Sequence, residues 1–140
     1  MKVVAYNILD FEKKSLAKAN AKVHDFTLIS NPLDASTIQY AEGKEVIIVS
    51  DRDILTKDIL DLLAAVGVKK IISRSRTLNH IDIEYAGKLQ LHLANTPLED
   101  DSLESIAHQT IANLNNWEKG DCLGQSCHCA FQCAKKEDLK

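Results

Sequence analysis

The spacing of apolar residues changes period along the chain, and the changes mark out alternating strands and helices. Lys2–Ile8 (KVVAYNI) and Val23–Ile29 (VHDFTLI) are short, rich in β-branched and apolar residues, and read as strands. Glu45–Ser50 contains VIIV, four consecutive β-branched residues. Such a run is the mark of a strand covered on both faces, as in a parallel sheet. Val68–Ile72 and Leu89–Ala94 (LQLHLA) supply two further strands. Between the strands the period lengthens to that of a helix. Asp10 reads as a cap before a helix over Lys13–Ala21, and Ser36–Tyr40 as a brief helical piece halted near Gly43. Thr56 caps a helix whose Ile59, Leu60, Leu62, Leu63 and Val66 form one stripe, closed by Gly67. Asp82 opens a short helix through Ala86 and Gly87. Asp100, Asp101 and Ser102 open a last helix, Leu103–Trp117, with acidic residues suited to the positive end of its dipole. Its apolar face comprises Leu103, Ile106, Thr110, Ile111 and Leu114, and Gly120 ends it.

Strands alternating with helices in this way build a parallel sheet with helices on both faces, joined by right-handed crossovers. The expected fold is α/β, a single flavodoxin-like doubly wound domain with a five-stranded parallel sheet over residues 1–119, followed by a Cys-rich tail over 120–140. In such sheets ligands bind outside the carboxyl ends of the strands. Two polar loops fall there. Asp51, Arg52 and Asp53 follow the third strand and read as a charged rim. Arg74, Arg76, Thr77, Asn79 and His80 follow the fourth and form the candidate site for a small carboxylate or phosphate, with Arg as a bidentate fork. The plainer alternative is a solvated loop that starts the next helix. His24, His92 and His108 are scattered and read as packed or surface residues.

Composition narrows the function. The 140 residues carry a net charge of −3, which gives no electrostatic case for nucleic acid or an anionic membrane. No apolar run approaches the roughly 20 residues of a membrane span, and the first residues read as a strand rather than a signal peptide. The expected location is the cytoplasm. All four cysteines, Cys122, Cys127, Cys129 and Cys133, fall within twelve residues, spaced C-x4-C-x-C-x3-C with His128 among them. In a reducing compartment such a cluster points to metal or redox chemistry before structural disulfides. Thiolate ligands suit zinc, copper(I) or an iron–sulfur cluster, and four complete a tetrahedral site; disulfides or redox-active thiols, and inert thiols, are the other readings.

The stretch from Gly67 to Pro97, GVKKIISRSRTLNHIDIEYAGKLQLHLANTP, resembles the N-terminal catalytic-domain segment of the D-isomer-specific 2-hydroxyacid dehydrogenases, the D-lactate dehydrogenase group. Gly67, Val68, Lys69, Arg74, Asn79, Ile81, Asp82, Ala86 and Pro97 carry the match. The helix with Ser105, Ile106, Ala107 and His108 resembles the family's connecting helix, which crosses toward the cofactor domain and takes part in dimer contacts. The resemblance implies a small 2-hydroxy or 2-oxo acid as ligand and a homo-oligomer. Thr77 stands where the family's loop usually carries Gly. The family continues into a nucleotide-binding domain with G-x-G-x-x-G and supplies a catalytic Arg, Glu and His. Here the five glycines, at 43, 67, 87, 120 and 124, form no such fingerprint. The expectation is a stand-alone 2-hydroxyacid-dehydrogenase-like domain that holds a carboxylate, with NAD not expected and no hydride transfer by this chain alone. The alternative is a zinc, iron–sulfur or thiol-redox module built on the cysteine tail.

Overall fold

A computed structural model describes residues 1–97, 102–121 and 123–130. The five strands form one sheet in the order β2-β1-β3-β4-β5 with every neighbouring pair parallel. They are β1 (Lys2–Ala5), β2 (Asp25–Leu28), β3 (Val46–Val49), β4 (Lys70–Ser73) and β5 (His92–Ala94). The helices are α1 (Asp10–Asn20), α2 (Lys57–Ala65), α3 (Ile83–Lys88) and α4 (Leu103–Glu118), with 3-10 turns at Ala35–Ala41 and Gly124–Ser126.

Strand alternation sorts the core into two layers. Val4, Ile47, Val49, Ile71 and Leu93 pack with Leu60 and Leu63 of α2 and Ala86 of α3. Val3, Ala5, Val46, Ile48, Ile72 and Ala94 face the other way, against Leu16 of α1 and Ala107, Ile111, Leu114 and Trp117 of α4. All four residues of VIIV are fully buried, as a central strand requires. Burying each such side chain contributes on the order of 1.5–3 kcal/mol. The apolar face of α4 is therefore core, although Leu103 at its start stays 38% exposed.

Element ends differ from the sequence reading for local reasons. Leu9, not Asp10, takes the cap position of α1, because Glu12 at the third helical position accepts the Leu9 N–H at 3.0 Å. Val68 lies outside β4: Gly67 adopts φ +100°, and the Val68 amide donates to the Leu63 carbonyl in the turn leaving α2. The alternation LQLHLA yields only a three-residue strand. Leu89 caps α3, Gln90 turns through φ +57°, and the Leu91 amide bonds back to Ala86.

After α4 the chain returns along the outer edge of β5. Cys127 bridges Ala94 antiparallel, Ser126 O accepts from the Asn95 amide at 3.1 Å, and the His128 amide donates to Leu93 O at 2.9 Å. Leu123 is buried with the α4 layer. The segment thus covers a strand edge that would otherwise present bare backbone groups. Gly87 makes room for it, since a Cβ there would lie 2.8 Å from the Ala130 Cβ. Among the described residues no helix is long and apolar enough to cross a membrane.

Candidate functional site

The parallel register brings the carboxyl ends of β1, β3, β4 and β5 to one side of the sheet. Arg74 leaves β4 there, with its amide on Val49 O at 2.9 Å. Its side chain turns inward and is 3% exposed. The guanidinium pairs with the Glu12 carboxylate of α1 and donates to Tyr6 O at 3.1 Å and Asn7 O at 3.4 Å. Arg52 flanks the pair, donating to Asn7 O at 3.1 Å with its Nη2 3.9 Å from Glu12. Burial pulls the Arg74 guanidinium below its ordinary value and Arg52 adds to the pull, while Glu12 and Asp53 oppose it. Arg74 Nε is buried with no acceptor among the described residues.

Asp53 organises the neighbouring loops. It is 1% exposed and accepts from Asn7 Nδ2 at 3.2 Å, the Leu33 amide at 3.0 Å and the Ser50 amide at 3.0 Å. Asn7 sits at φ +57°, a conformation Asn tolerates better than most residues. The β1–α1 turn carries no glycine, and its groups are engaged by Glu12, Arg74, Arg52 and Asp53. It offers no cradle for a dinucleotide pyrophosphate of the kind a glycine-rich strand–helix turn provides.

The 75–77 loop is pinned on both sides. Ser75 Oγ donates to Thr77 O at 2.7 Å and so accepts from Ser73 Oγ at 2.6 Å; Ser73 Oγ meets His80 Nε2 at 2.9 Å. From β5, Asn95 Nδ2 donates to Arg76 O at 2.7 Å and the Thr96 amide to Ser75 O at 3.0 Å. Burial lowers the His80 pKa, against the attraction of Asp51 and Asp53. The neutral ring is favoured, with its proton on Nε2 to donate to Ser73. Thr77 does not adopt positive φ, so the backbone itself makes no demand for glycine there.

The five candidate residues divide between two depressions. Arg74, Arg76 and Thr77 line a cavity of about 480 Å³ together with Asp51, Ser75, Thr96 and Ile106. Arg76 and Thr77 are exposed at its rim. Asn79 and His80 instead line a shallow groove of about 560 Å³ with Ile54–Asp58, Ile81 and Asp82. The sequence reading did not single out Asn95, which pins this loop, or Thr96, which lines the cavity beside it. The available signal was position: Asn95 and Thr96 follow β5 at the same sheet edge.

Of the cysteine-tail residues, Cys127 is half-buried, Cys129 is 7% exposed, and His128 is half-buried between them. Cys122 and Cys133 lie outside the described residues. Among the described residues no three His, Cys, Asp or Glu side chains converge as a metal site. Cys129 Sγ lies 3.5 Å from His92 Nδ1, a contact absent from the sequence reading.

Comparison with known proteins accords with this geometry. The family model "D-isomer specific 2-hydroxyacid dehydrogenase, catalytic domain" matches residues 3–127. A 2-hydroxyacid dehydrogenase homolog of Haemophilus influenzae is 30% identical over 112 residues, covering 79% of this chain and 33% of the relative. D-lactate dehydrogenase of Leuconostoc mesenteroides subsp. cremoris is 31% identical over 119 residues, covering 82% and 35%. The apo-structure of D-lactate dehydrogenase from Escherichia coli superposes with a TM-score of 0.69 at 27% identity, covering 71% of this chain and 32% of that one. The chain spans about a third of the length of the curated relatives it matches.

Proposed function

The chain belongs to the D-isomer specific 2-hydroxyacid dehydrogenase family through its catalytic domain, and from that footing we propose that the cavity beside the 75–77 loop holds the carboxylate of a small 2-hydroxy or 2-oxo acid. The observation that carries the reading is the pinned loop. Arg76 has its carbonyl fixed by Asn95 while its side chain lines a cavity at the carboxyl edge of the sheet. A preorganised loop lowers the ordering cost of binding. Arg74 also lines this cavity, and its buried Nε supplies a donor with no described acceptor. Asp51 on the same wall suits the hydroxyl of a 2-hydroxy acid. Arg74 serves as the anchor of the site and Arg76 as the contact. Relatives named D-lactate dehydrogenases point to lactate and pyruvate as the first ligands to try. Hydride transfer is not assigned to these 140 residues, which carry no G-x-G-x-x-G and whose first strand–helix turn does not fit a dinucleotide.

The test is a titration of the isotope-labelled chain with pyruvate and with D-lactate, followed by amide chemical shifts. Shifts at residues 75–77 and 96, with millimolar affinity, are the expected result. Arg76→Ala should weaken binding about 10-fold or more, the value of one lost charge-assisted hydrogen bond. Saturating shifts elsewhere, or none at these residues, would refute the assignment. Steady NADH absorbance with pyruvate is expected of the purified chain, and turnover would overturn the restriction to binding.

A further inference from the structure

We infer that the returning segment 123–130 positions Arg76, through a buried ring of hydrogen bonds whose link to the 75–77 loop is Asn95. The inference rests on the carboxylate reading only for what Arg76 contacts. The ring joins the exit of β5, helix α4 and the returning segment. The Asn95 amide donates to Ser126 O at 3.1 Å. Ser126 Oγ accepts from Gln109 Nε2 at 3.3 Å, and the same nitrogen donates to Asn113 Oδ1 at 2.9 Å. Asn113 Nδ2 closes the ring on Asn95 O at 3.0 Å. A side-chain amide nitrogen carries two protons, so Gln109 makes both bonds at once. From the ring, Asn95 Nδ2 reaches out to Arg76 O at 2.7 Å.

Two of these residues stand where packing alone would not put them. Asn113 is buried on the face of α4 that also buries Thr110, Leu114 and Trp117. An apolar residue there would add to the core, whereas a buried amide costs free energy unless its bonds are made. Gln109, four residues earlier and so on the same helix face, makes one of them, and Asn95 O makes another. Asn95 carries a cost of its own. Its Oδ1 is buried with no donor among the described residues. The amide nevertheless keeps the orientation that gives Nδ2 to Arg76 O. An unmet buried acceptor calls for a compensating role, and holding Arg76 supplies one. Thr96 holds the carbonyl before it, with its amide and its hydroxyl on Ser75 O at 3.0 and 3.3 Å.

The loop therefore depends on a segment far from it in sequence. Detaching residues 123–130 from β5 would leave the Asn95 amide and one Gln109 proton unmet and free the Asn95 side chain to turn. In a site shielded from water such bonds reinforce one another, so losing one loosens the rest. The coupling is reciprocal: a carboxylate that fixes Arg76 steadies the returning segment by the same factor. Asn95 and Gln109 are positioning residues, and contact with the ligand stays with Arg76.

The reporter is the carbonyl carbon of Arg76 in the isotope-labelled full chain, whose resonance follows hydrogen bonding at its oxygen. It is read first without ligand, and pyruvate is then titrated. Gln109→Met keeps the side-chain length and removes both donors. It should move the Arg76 resonance and weaken pyruvate binding about 3–10-fold, the value of one hydrogen bond. His108→Ala, exposed on the same helix, should change neither. A merely structural Gln109 would lower the urea midpoint and leave the Arg76 resonance in place, and that result would overturn the inference. So would undiminished pyruvate affinity in Gln109→Met. A wild-type chain that shows no pyruvate shifts refutes the carboxylate reading instead, and the ligand-free Arg76 resonance still decides the ring. If Gln109→Met fails to fold, hydrogen exchange of the wild-type chain decides. The His128 amide reports the segment and the Thr96 amide the loop. Opening of both at one common free energy supports the coupling, and separate openings refute it.

Discussion

Removing Glu12 should harm this fold more than any exposed ion pair would suggest. The Arg74 side chain is 3% exposed and that of Glu12 16% exposed. The guanidinium also donates to the Tyr6 and Asn7 carbonyls. In Glu12→Gln the Leu9 amide keeps an acceptor, but a buried cation loses its counter-charge beside Arg52. Breaking a buried pair from one side costs about 3–5 kcal/mol, a large part of the roughly 5–15 kcal/mol that holds a domain of this size. Arg74→Met should cost less, about 2–3 kcal/mol, because Glu12 is partly hydrated and Arg52 stands 3.9 Å away. The Asn7 carbonyl also keeps its bond from Arg52 at 3.1 Å.

The double variant Glu12→Gln/Arg74→Met leaves neither charge stranded. Its loss should fall short of the sum of the singles by about 2 kcal/mol, within the range for residues in direct contact. Urea unfolding of the four proteins, with equal m-values, gives the cycle directly. The coupling should change little when salt is raised from about 0.1 M to 1 M, because buried pairs are weakly screened. A coupling below about 0.5 kcal/mol would place the pair with surface ion pairs and refute Arg74 as the internal anchor of the loop.

Two further outcomes follow from the same geometry. His80 titrates below its ordinary value in the fold, so the unfolded chain takes up its proton first as pH falls. Its contribution is therefore complete above about pH 6.5 and is lost as pH drops from there toward the lowered folded value, at no more than about 1.4 kcal/mol per pH unit. Urea midpoints at several pH values should show this slope in wild type and a flatter one in His80→Gln; identical slopes would refute it. Gly87→Ala sets a Cβ 2.8 Å from Ala130 Cβ. It should raise protease sensitivity of residues 123–130 while changing global stability by less than about 1 kcal/mol, since α3 gains helix propensity as the edge contact is lost. Unchanged protection of that segment would show that the contact does not hold it.

The sheet was legible because its signals are local. VIIV can satisfy four consecutive buried positions only in a central strand, and β3 is that strand. The stripes of α2 and α4 were legible only in part. Leu60 and Leu63 of α2 are buried, as are Ala107, Ile111 and Leu114 of α4, but Leu62, expected in the α2 stripe, points away from the core and is 38% exposed, as is Leu103 at the start of α4. Legibility failed where backbone conformation decides without an apolar signature. Gln90 adopts φ +57° although nothing in its side chain calls for it, and this turn reduces an alternating hexapeptide to a three-residue strand. The return of residues 123–130 along β5 was also invisible. It depends on the missing side chain of Gly87, far upstream of Leu123 where the returning segment begins, and on backbone groups of Leu93 and Asn95.

The site was legible as a place and illegible as a division of labour. Arg74 and Arg76 are the same residue type two positions apart, and either suits a carboxylate. What separates them is Glu12, sixty-two positions before Arg74, which sits at the third residue of α1 and faces the end of β4. A carboxylate so placed can serve the α1 cap through Leu9 and a buried guanidinium together. The inward arginine stabilises the frame, and the outward one remains at the rim of the cavity. The two roles are separable by experiment. Arg76→Ala should weaken carboxylate binding without moving the urea midpoint, whereas Arg74→Met should move the midpoint first. If both variants moved only stability, the cavity would lose its claim to be a binding site and the loop would be structural throughout.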